Sequence, residues 1–235
     1  MTEENGLVIA IIPARGGSKT VLKKNVKDMC GKPMIAYSIE AAKNSPKVDK
    51  VFVSTDSEEI AEVSRKFGAE IVYEKEENMD QFDLYKESYL DYAVQEIEKT
   101  GIKIRLIAFL QCTSIFRDNK EIDEAIAMID EQEYDSAITA FPSFRYYGQL
   151  KDGCYVPFRK VRERKQAMEP WYCDNGALYV IKRDLFDQVK NRYGGRIGLV
   201  MMEEVNSLEI DYPYDWWLAE QLMTRRKEGK TRMDF

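Results

Sequence analysis

The sequence contains no histidine. That absence removes imidazole acid–base catalysis, Ser-His-Asp triads and histidine-ligated metals together, so any chemistry must run through carboxylates, lysines, arginines, hydroxyls or an oxygen-bound cation. Cysteine is sparse: Cys30, Cys112, Cys154 and Cys173 are scattered with no C-x-x-C spacing, which argues against a zinc ribbon or a disulfide framework and for reduced thiols. Long apolar runs are missing too. The run Leu7 to Ile12 is far shorter than a membrane span of about 20 residues, and the Met1-Thr2-Glu3-Glu4 opening is acidic where a signal peptide needs basic residues. A cytoplasmic protein without membrane contact is expected. Nor is there an excess of positive charge. With a net charge of −6 and a pI near 5.1, no broad nucleic-acid surface is expected, and any anion site must be local.

What is present is an ordinary globular mixture, 44% hydrophobic and 32% charged over 235 residues, enough for one main domain spanning 1–235. Apolar runs bounded by turn residues alternate with stretches of helical period: Leu7 to Pro13, Pro33 to Lys43, Val51 to Thr55, Glu58 to Phe67. The rhythm is βαβα. Asp56 followed by Glu59 reads as a capping box, and Ile60, Val63 and Phe67 share one face of a helix that stops at Gly68. Downstream, Leu106 to Leu110 reads as a buried strand, and Ile122, Ala125, Ile126 and Ile129 form a helical stripe entered through Asp118 or Asn119. Further strands are expected at Ser136 to Phe141, Ala177 to Ile181 and Glu204 to Asp211, with a last helix from about Tyr214 to Arg226. The sum is an α/β, doubly wound, mostly parallel sheet. The stretch 142–173 breaks the rhythm. It is rich in aromatic and basic residues and reads as an irregular inserted arm, serving as a dimerisation arm or acceptor-site flap, or packing on its own core.

Two stretches carry chemistry. After the first strand come Pro13-Ala14-Arg15-Gly16-Gly17-Ser18-Lys19 and then Lys23-Lys24-Asn25. Glycines let backbone N–H groups approach an anion, and Arg15, Lys19 and Lys24 supply the charge a triphosphate demands. The loop fits neither a Walker A motif nor a G-x-G-x-x-G fingerprint, which disfavours a P-loop ATPase and a dinucleotide dehydrogenase. Near the other end, Ser207-Leu208-Glu209-Ile210-Asp211 alternates polar and apolar, so an extended chain points Ser207, Glu209 and Asp211 to one face. Two carboxylates there form half of a Mg²⁺ site, since magnesium takes one or two carboxylates and completes its shell with water and phosphate oxygens. Gln111, at the carboxyl end of the buried strand, sits where open α/β sheets bind ligands.

These residues resemble the acylneuraminate cytidylyltransferases. The opening Ile11 to Lys19 with Lys24-Asn25 is similar to that family's signature, and further blocks agree in order: Gly31-Lys32-Pro33, Val53 to Asp56, Leu110 to Ser114, Asn175 to Tyr179 and Ser207 to Asp211. The resemblance implies a Rossmann-like nucleotidyltransferase fold, usually dimeric, with the arm exchanged between protomers. It implies transfer of CMP from CTP to a nonulosonic, sialic-acid-like sugar acid, by in-line attack of an acceptor hydroxyl on the α-phosphate. The catalytic residues are then Arg15, Lys24 and Asp211. The nucleotide contacts are Ala14, Arg15, Gly16, Gly17, Lys19, Lys24, Asn25, Lys75, Ser88 and Gln111. Gln111, Lys165, Gln166, Asn175 and Gly176 face the acceptor, and Asp211 and Glu209 hold magnesium. The hydroxyl proton would pass to a carboxylate or to metal-bound hydroxide. The chain departs from the family in four places. Glu209 replaces the usual aspartate, Cys112 and Ile115 replace the prolines of the usual L-Q-P-T-S-P-L-R block, Lys75 to Ser88 replaces the base-recognition patterns, and Lys165 and Cys173 stand where sialic-acid enzymes place arginines. Two other readings fit the residues: a nucleotidyltransferase using another triphosphate or a sugar 1-phosphate, and a catalytically weak nucleotide-binding assembly protein.

Overall fold

The computed structural model describes residues 6–17, 20–73 and 88–229. The strands are β1 (Leu7–Pro13), β2 (Asp28–Met29), β3 (Lys32–Pro33), β4 (Lys50–Thr55), β5 (Glu70–Tyr73), β6 (Ile104–Leu110), β7 (Ser136–Ser143), β8 (Gly148–Lys151), β9 (Cys154–Pro157), β10 (Trp171–Lys182) and β11 (Ile197–Met201). The helices are α1 (Met34–Lys43), α2 (Glu58–Lys66), α3 (Ser88–Lys99), α4 (Asn119–Gln132), α5 (Arg183–Val189) and α6 (Pro213–Lys227). Seven strands form the main sheet in the order β11-β7-β10-β6-β1-β4-β5. β1 pairs in parallel with β4 and β6, and β5 continues in parallel on β4. β10 runs antiparallel between β6 and β7, and β11 lies parallel to β7.

The two-residue alternation of the central strands builds two apolar layers. Val8, Ala10 and Ile12 of β1, with Leu106, Ala108 and Leu110 of β6, pack under α1, α2, α4 and α6. Ile9, Ile11, Ile107 and Phe109 point the other way, against Leu90, Val94 and Ile97 of α3 and Phe186 of α5. Each fully buried aliphatic or Phe side chain contributes roughly 1.5–3 kcal/mol. Both central strands therefore sit rigidly, and their carboxyl ends, at Pro13 and Leu110, open at the same edge of the sheet.

Four expectations change. Asp56 does not cap α2: Ser57 is the N-cap, its hydroxyl accepting from the Ile60 N–H, and Asp56 is thereby released for another role. The Glu204 to Asp211 stretch is not a strand. Glu204–Ser207 makes one 3₁₀ turn, tied by the Ser207 hydroxyl donating to the Glu203 carbonyl, and only Ile210 adds a ladder-like bond, its N–H to the Thr113 carbonyl at 3.1 Å. The edge place belongs instead to the unanticipated β11 on β7. Finally, 142–173 is not irregular throughout. β8 and β9 form a hairpin whose turn, Asp152-Gly153, has φ of +50° and +79°, the left-handed pair that Asp-Gly accepts. β10 reaches up into the arm as far as Trp171, which pairs with Ser143.

Candidate active site

The phosphate loop leaves β1 under several restraints. The Ala14 N–H donates to the Ser54 carbonyl at 2.8 Å, and the Gly16 N–H donates to Asp56 Oδ1 at 2.7 Å. A Cβ at Gly16 would lie 3.0 Å from the Ser57 side chain, so the loop approaches the β4–α2 turn as closely as glycine permits. The buried Asn25 braces it from behind. Its amide donates to the Arg15 carbonyl at 3.0 Å, and its Oδ1 accepts the Cys112 thiol at 3.1 Å. Burial pushes that thiol up to about 11, so Cys112 stays a neutral donor. Arg15, Gly16 and Gly17 face solvent, with the Arg15 guanidinium 5.4 Å from the centre of the Tyr89 ring.

Opposite the loop, the chain Leu208 to Asp211 brings the carboxylates in. Lys24 Nζ donates to Asp211 Oδ1 at 2.9 Å and to the Ile210 carbonyl at 2.8 Å. Its side chain is only 11% exposed, against 50% for Asp211, so the ammonium is committed to this contact from within the wall. The Thr20 hydroxyl donates to the Asp211 carbonyl. Glu209 accepts from the Thr113 hydroxyl at 3.3 Å. Burial, and then the Asp211 charge, hold its carboxyl above the usual range, opposed by Thr113, Lys24 and Arg192. Ser207 does not join this face. It accepts from the Asn175 amide at 2.8 Å.

Gln111 stands between the two sides. In the orientation that satisfies its neighbours, its amide donates to Glu209 Oε1 at 2.8 Å and to the Gly176 carbonyl at 3.2 Å. Gly176 has φ +70°, and a Cβ there would meet the Gln111 amide at 2.8 Å, so both backbone shape and space demand glycine. Asn175 is buried and fully engaged. It accepts from the Thr139 hydroxyl at 2.7 Å and from the Ala177 N–H, and donates to Ser207 and Met202. It builds the wall behind Gly176. Lys165 and Gln166 lie on an exposed 3₁₀ turn of the arm, with Lys165 Nζ 5.5 Å from the Phe144 ring centre. Neither belongs to the cavity wall. Lys19 and Lys75 lie outside the described residues, and Ser88 is described only as the first residue of α3.

Between β1, β6 and β10 lies a cavity of about 220 Å³, walled by Pro13, Gln111, Thr113 and Glu209 and also by Tyr89, Phe109, Tyr179 and Arg192. The sequence reading missed the second group. Tyr179 was within a recognised block but had no role, and Arg192 lies in Asn191-Arg192-Tyr193-Gly194-Gly195, an aromatic and glycine-rich turn that could have been flagged. The Tyr179 phenol donates to both Asp174 carboxylate oxygens at 3.0 Å. Burial and the neighbouring Asp174 charge raise it, so it keeps its proton. No helix among the described residues is long and apolar enough to cross a membrane.

A cationic loop, two converging carboxylates and an amide between them suit a nucleotide and a second substrate, and the cytidylyltransferase family model matches residues 9–175, most of the chain. The chain belongs to the cytidylyltransferases. Among relatives of this cytidylyltransferase, the post-translational flagellin modification protein B of Campylobacter coli is 29% identical over 93% of this chain and 96% of its own length. The N-acylneuraminate cytidylyltransferase A of Danio rerio is 33% identical over 93% of this chain and 51% of its own length. The Escherichia coli N-acylneuraminate cytidylyltransferase is 29% identical over 97% and 54%. The chain thus spans about half the length of the N-acylneuraminate cytidylyltransferases it matches. In fold it is similar to a CMP:2-keto-3-deoxy-manno-octonic acid synthetase complexed with CTP, with a TM-score of 0.68 and 16% identity over 94% of this chain and 99% of the other. It is also similar to 4-diphosphocytidyl-2C-methyl-D-erythritol synthase from Anaerococcus prevotii, with a TM-score of 0.67 and 12% identity over 95% and 98%. The fold is the Rossmann-like nucleotidyltransferase fold.

Proposed function

We propose that this cytidylyltransferase transfers CMP from CTP to a hydroxyl of a nonulosonic, sialic-acid-like sugar acid and releases pyrophosphate. The observation that carries the reading is the meeting of Lys24 with Asp211 and of Gln111 with Glu209 beside the phosphate loop, in a chain similar to proteins named for N-acylneuraminate. Arg15 and Lys24 bind and orient the triphosphate. Gln111 fixes the acceptor hydroxyl against the α-phosphate, so that positioning and charge neutralisation carry most of the acceleration. A carboxylate of the Glu209 and Asp211 pair receives the hydroxyl proton, as no histidine is present to do so.

The same two carboxylates fit Mg²⁺. They are hard oxygen donors, close enough for the Asp211 charge to raise Glu209, and such a pair is relieved by a cation between it and phosphate oxygens. Bound there, magnesium would supply positive charge to the phosphates at the reacting end. The arm carries the oligomeric proposal: Leu150 and its cross-strand partner Tyr155 are 76% and 61% exposed, an apolar pair suited to a second copy of the chain in a homodimer.

The test is magnesium-dependent pyrophosphate release, scanning CTP, UTP, GTP and ATP against sialic-type acids, 2-keto-3-deoxy-manno-octonic acid and hexose 1-phosphates. Turnover confined to CTP with a sugar acid is expected. Turnover only with another triphosphate or only with a sugar phosphate would overturn the reading.

A further inference from the structure

A second cavity, of about 460 Å³, shares no wall residue with the first. It lies where the β2–β3 turn, α1 and the entry to α4 meet the last turns of α6, and among the described residues Lys32, Arg117, Arg226 and Lys227 line it against one carboxylate, Asp118. In a chain of net charge −6 that is a concentrated patch of positive charge. Arg117 is its buried member, 2% exposed. Its Nη2 donates to the Ser38 hydroxyl at 2.8 Å, while Nε and Nη1 have no hydrogen-bond partner among the described residues. Asp118 and Glu121 act on the guanidinium through space, but each commits an oxygen to the capping box of α4: Asp118 Oδ1 accepts from the Lys120 N–H and Glu121 Oε2 from the Asp118 N–H, both at 2.8 Å. Burial pushes Arg117 down to about 10, opposed by those two carboxylates, so it is still a cation at neutral pH. A buried cation with two unmade hydrogen bonds is costly to the fold, and an anion brought alongside relieves that cost.

The cations on α6 have neutral partners. Arg226 Nη2 donates to the Asn206 amide oxygen and its guanidinium lies 4.5 Å from the Phe116 ring centre, and Lys227 Nζ donates to the Cys30 carbonyl at 2.8 Å. Lys32 is the one already paired, donating to Glu40. Tyr37, Ile115, Phe116 and Met223 give the wall an apolar portion, and burial first of all pushes the Tyr37 phenol up to about 12, so it adds no negative charge. We propose that this cavity binds a phosphate monoester, with the phosphate group among Arg117, Arg226 and Lys227 and the organic body against the apolar wall. Cations arriving from separate elements suit a tetrahedral phosphate, whose oxygens point in several directions, better than a flat carboxylate, which one guanidinium fork can hold. The volume and the apolar wall leave room and contact for more than inorganic phosphate. The site takes no part in the proposed transfer, and its occupation needs neither CTP nor acceptor.

The experiment titrates phenyl phosphate and, separately, inorganic phosphate into the full chain by calorimetry, with no nucleotide or acceptor present. The phosphate loop can also draw these anions, so both titrations are repeated on Arg15→Met. One binding event is expected to survive there, tighter for phenyl phosphate than for inorganic phosphate. Arg226→Met combined with Lys227→Met, both on the exposed last turn of α6, should weaken that event about tenfold or more, the range for hydrogen bonds to charged groups, with the thermal midpoint held. Arg117→Met should abolish it, but that substitution falls in the interior, so the double variant on α6 carries the decision. A chain that binds neither anion, an event lost altogether in Arg15→Met, or one unmoved by the double variant overturns the inference. Inorganic phosphate bound as tightly as phenyl phosphate overturns it as well, because the apolar wall would then contribute nothing.

Discussion

The sheet has two unlike halves. β6, β1, β4 and β5 run parallel, are covered on both faces, and carry the phosphate loop in consecutive residues after β1. β10, β7 and β11 mix directions and continue into the exposed arm, and among the described residues of the cavity wall this side supplies Tyr179 of β10 and Arg192 on the turn before β11. On the proposed reading, the first half meets what all nucleotidyl donors share, phosphate charge, with the cations of its loop, and the second half faces what differs between acceptors. Such a site can change its acceptor without disturbing the strand ends behind the phosphate loop.

The sharpest way to break that comparison is to remove the carboxylate where the halves meet. Asp211→Ala should lower magnesium-dependent turnover by about a hundredfold to a thousandfold, because it removes the proposed metal donor and takes the counter-ion from Lys24. An unchanged magnesium-dependent rate would remove Asp211 from the metal site. Next in size, Gly176→Ala forces φ +70° on alanine and drives a methyl into the Gln111 amide. The backbone alone costs about 1–2 kcal/mol, and turnover should fall at least tenfold with little change in CTP binding. Equal losses in CTP binding would show that the two halves are not separable there.

Glu209→Gln tests the junction through stability. A carboxyl whose folded pKa is raised adds stability while protonated and loses it as the pH rises through the folded value, so above that value the ionised side chain is a liability in the metal-free protein. The amide should raise the thermal midpoint above that of the wild-type chain at pH values above the folded pKa, while impairing turnover. Differential scanning calorimetry in chelator reads this, and a lowered midpoint would contradict it. The smallest expected effect on the site itself is Leu150→Glu in the arm, which should shift sedimentation toward monomer and leave the folding midpoint within about 2 °C.

The parallel half was legible because its signals are local. The period of β1, α1, β4 and α2, the glycines after Ala14 and the cations that follow occupy one continuous stretch, and Asp118 entered α4 as anticipated. Asp56 shows the limit of local reading. Its spacing to Glu59 mimics a capping box, yet Ser57 takes that place and the freed carboxylate grips the Gly16 N–H forty residues back in the chain. The wall was less legible because its residues meet only through topology. Arg192 and Tyr89 are 103 positions apart, and Asn175 looked like an acceptor contact although four internal partners consume it. The Glu204 to Asp211 alternation pointed to a strand, but it lies against the Thr113 turn with one ladder-like bond.

The pair between Lys24 and Asp211 has a thermodynamic corollary. With nothing bound, each group is the other's counter-ion, so this pair by itself attracts neither cations nor polyanions strongly. On the proposed reading, a cation on Asp211 would release an ammonium for phosphate, and a phosphate drawing off Lys24 would uncover a carboxylate for the cation. Each ligand would then raise the affinity for the other by one and the same factor, and charge would enter in neutral couples.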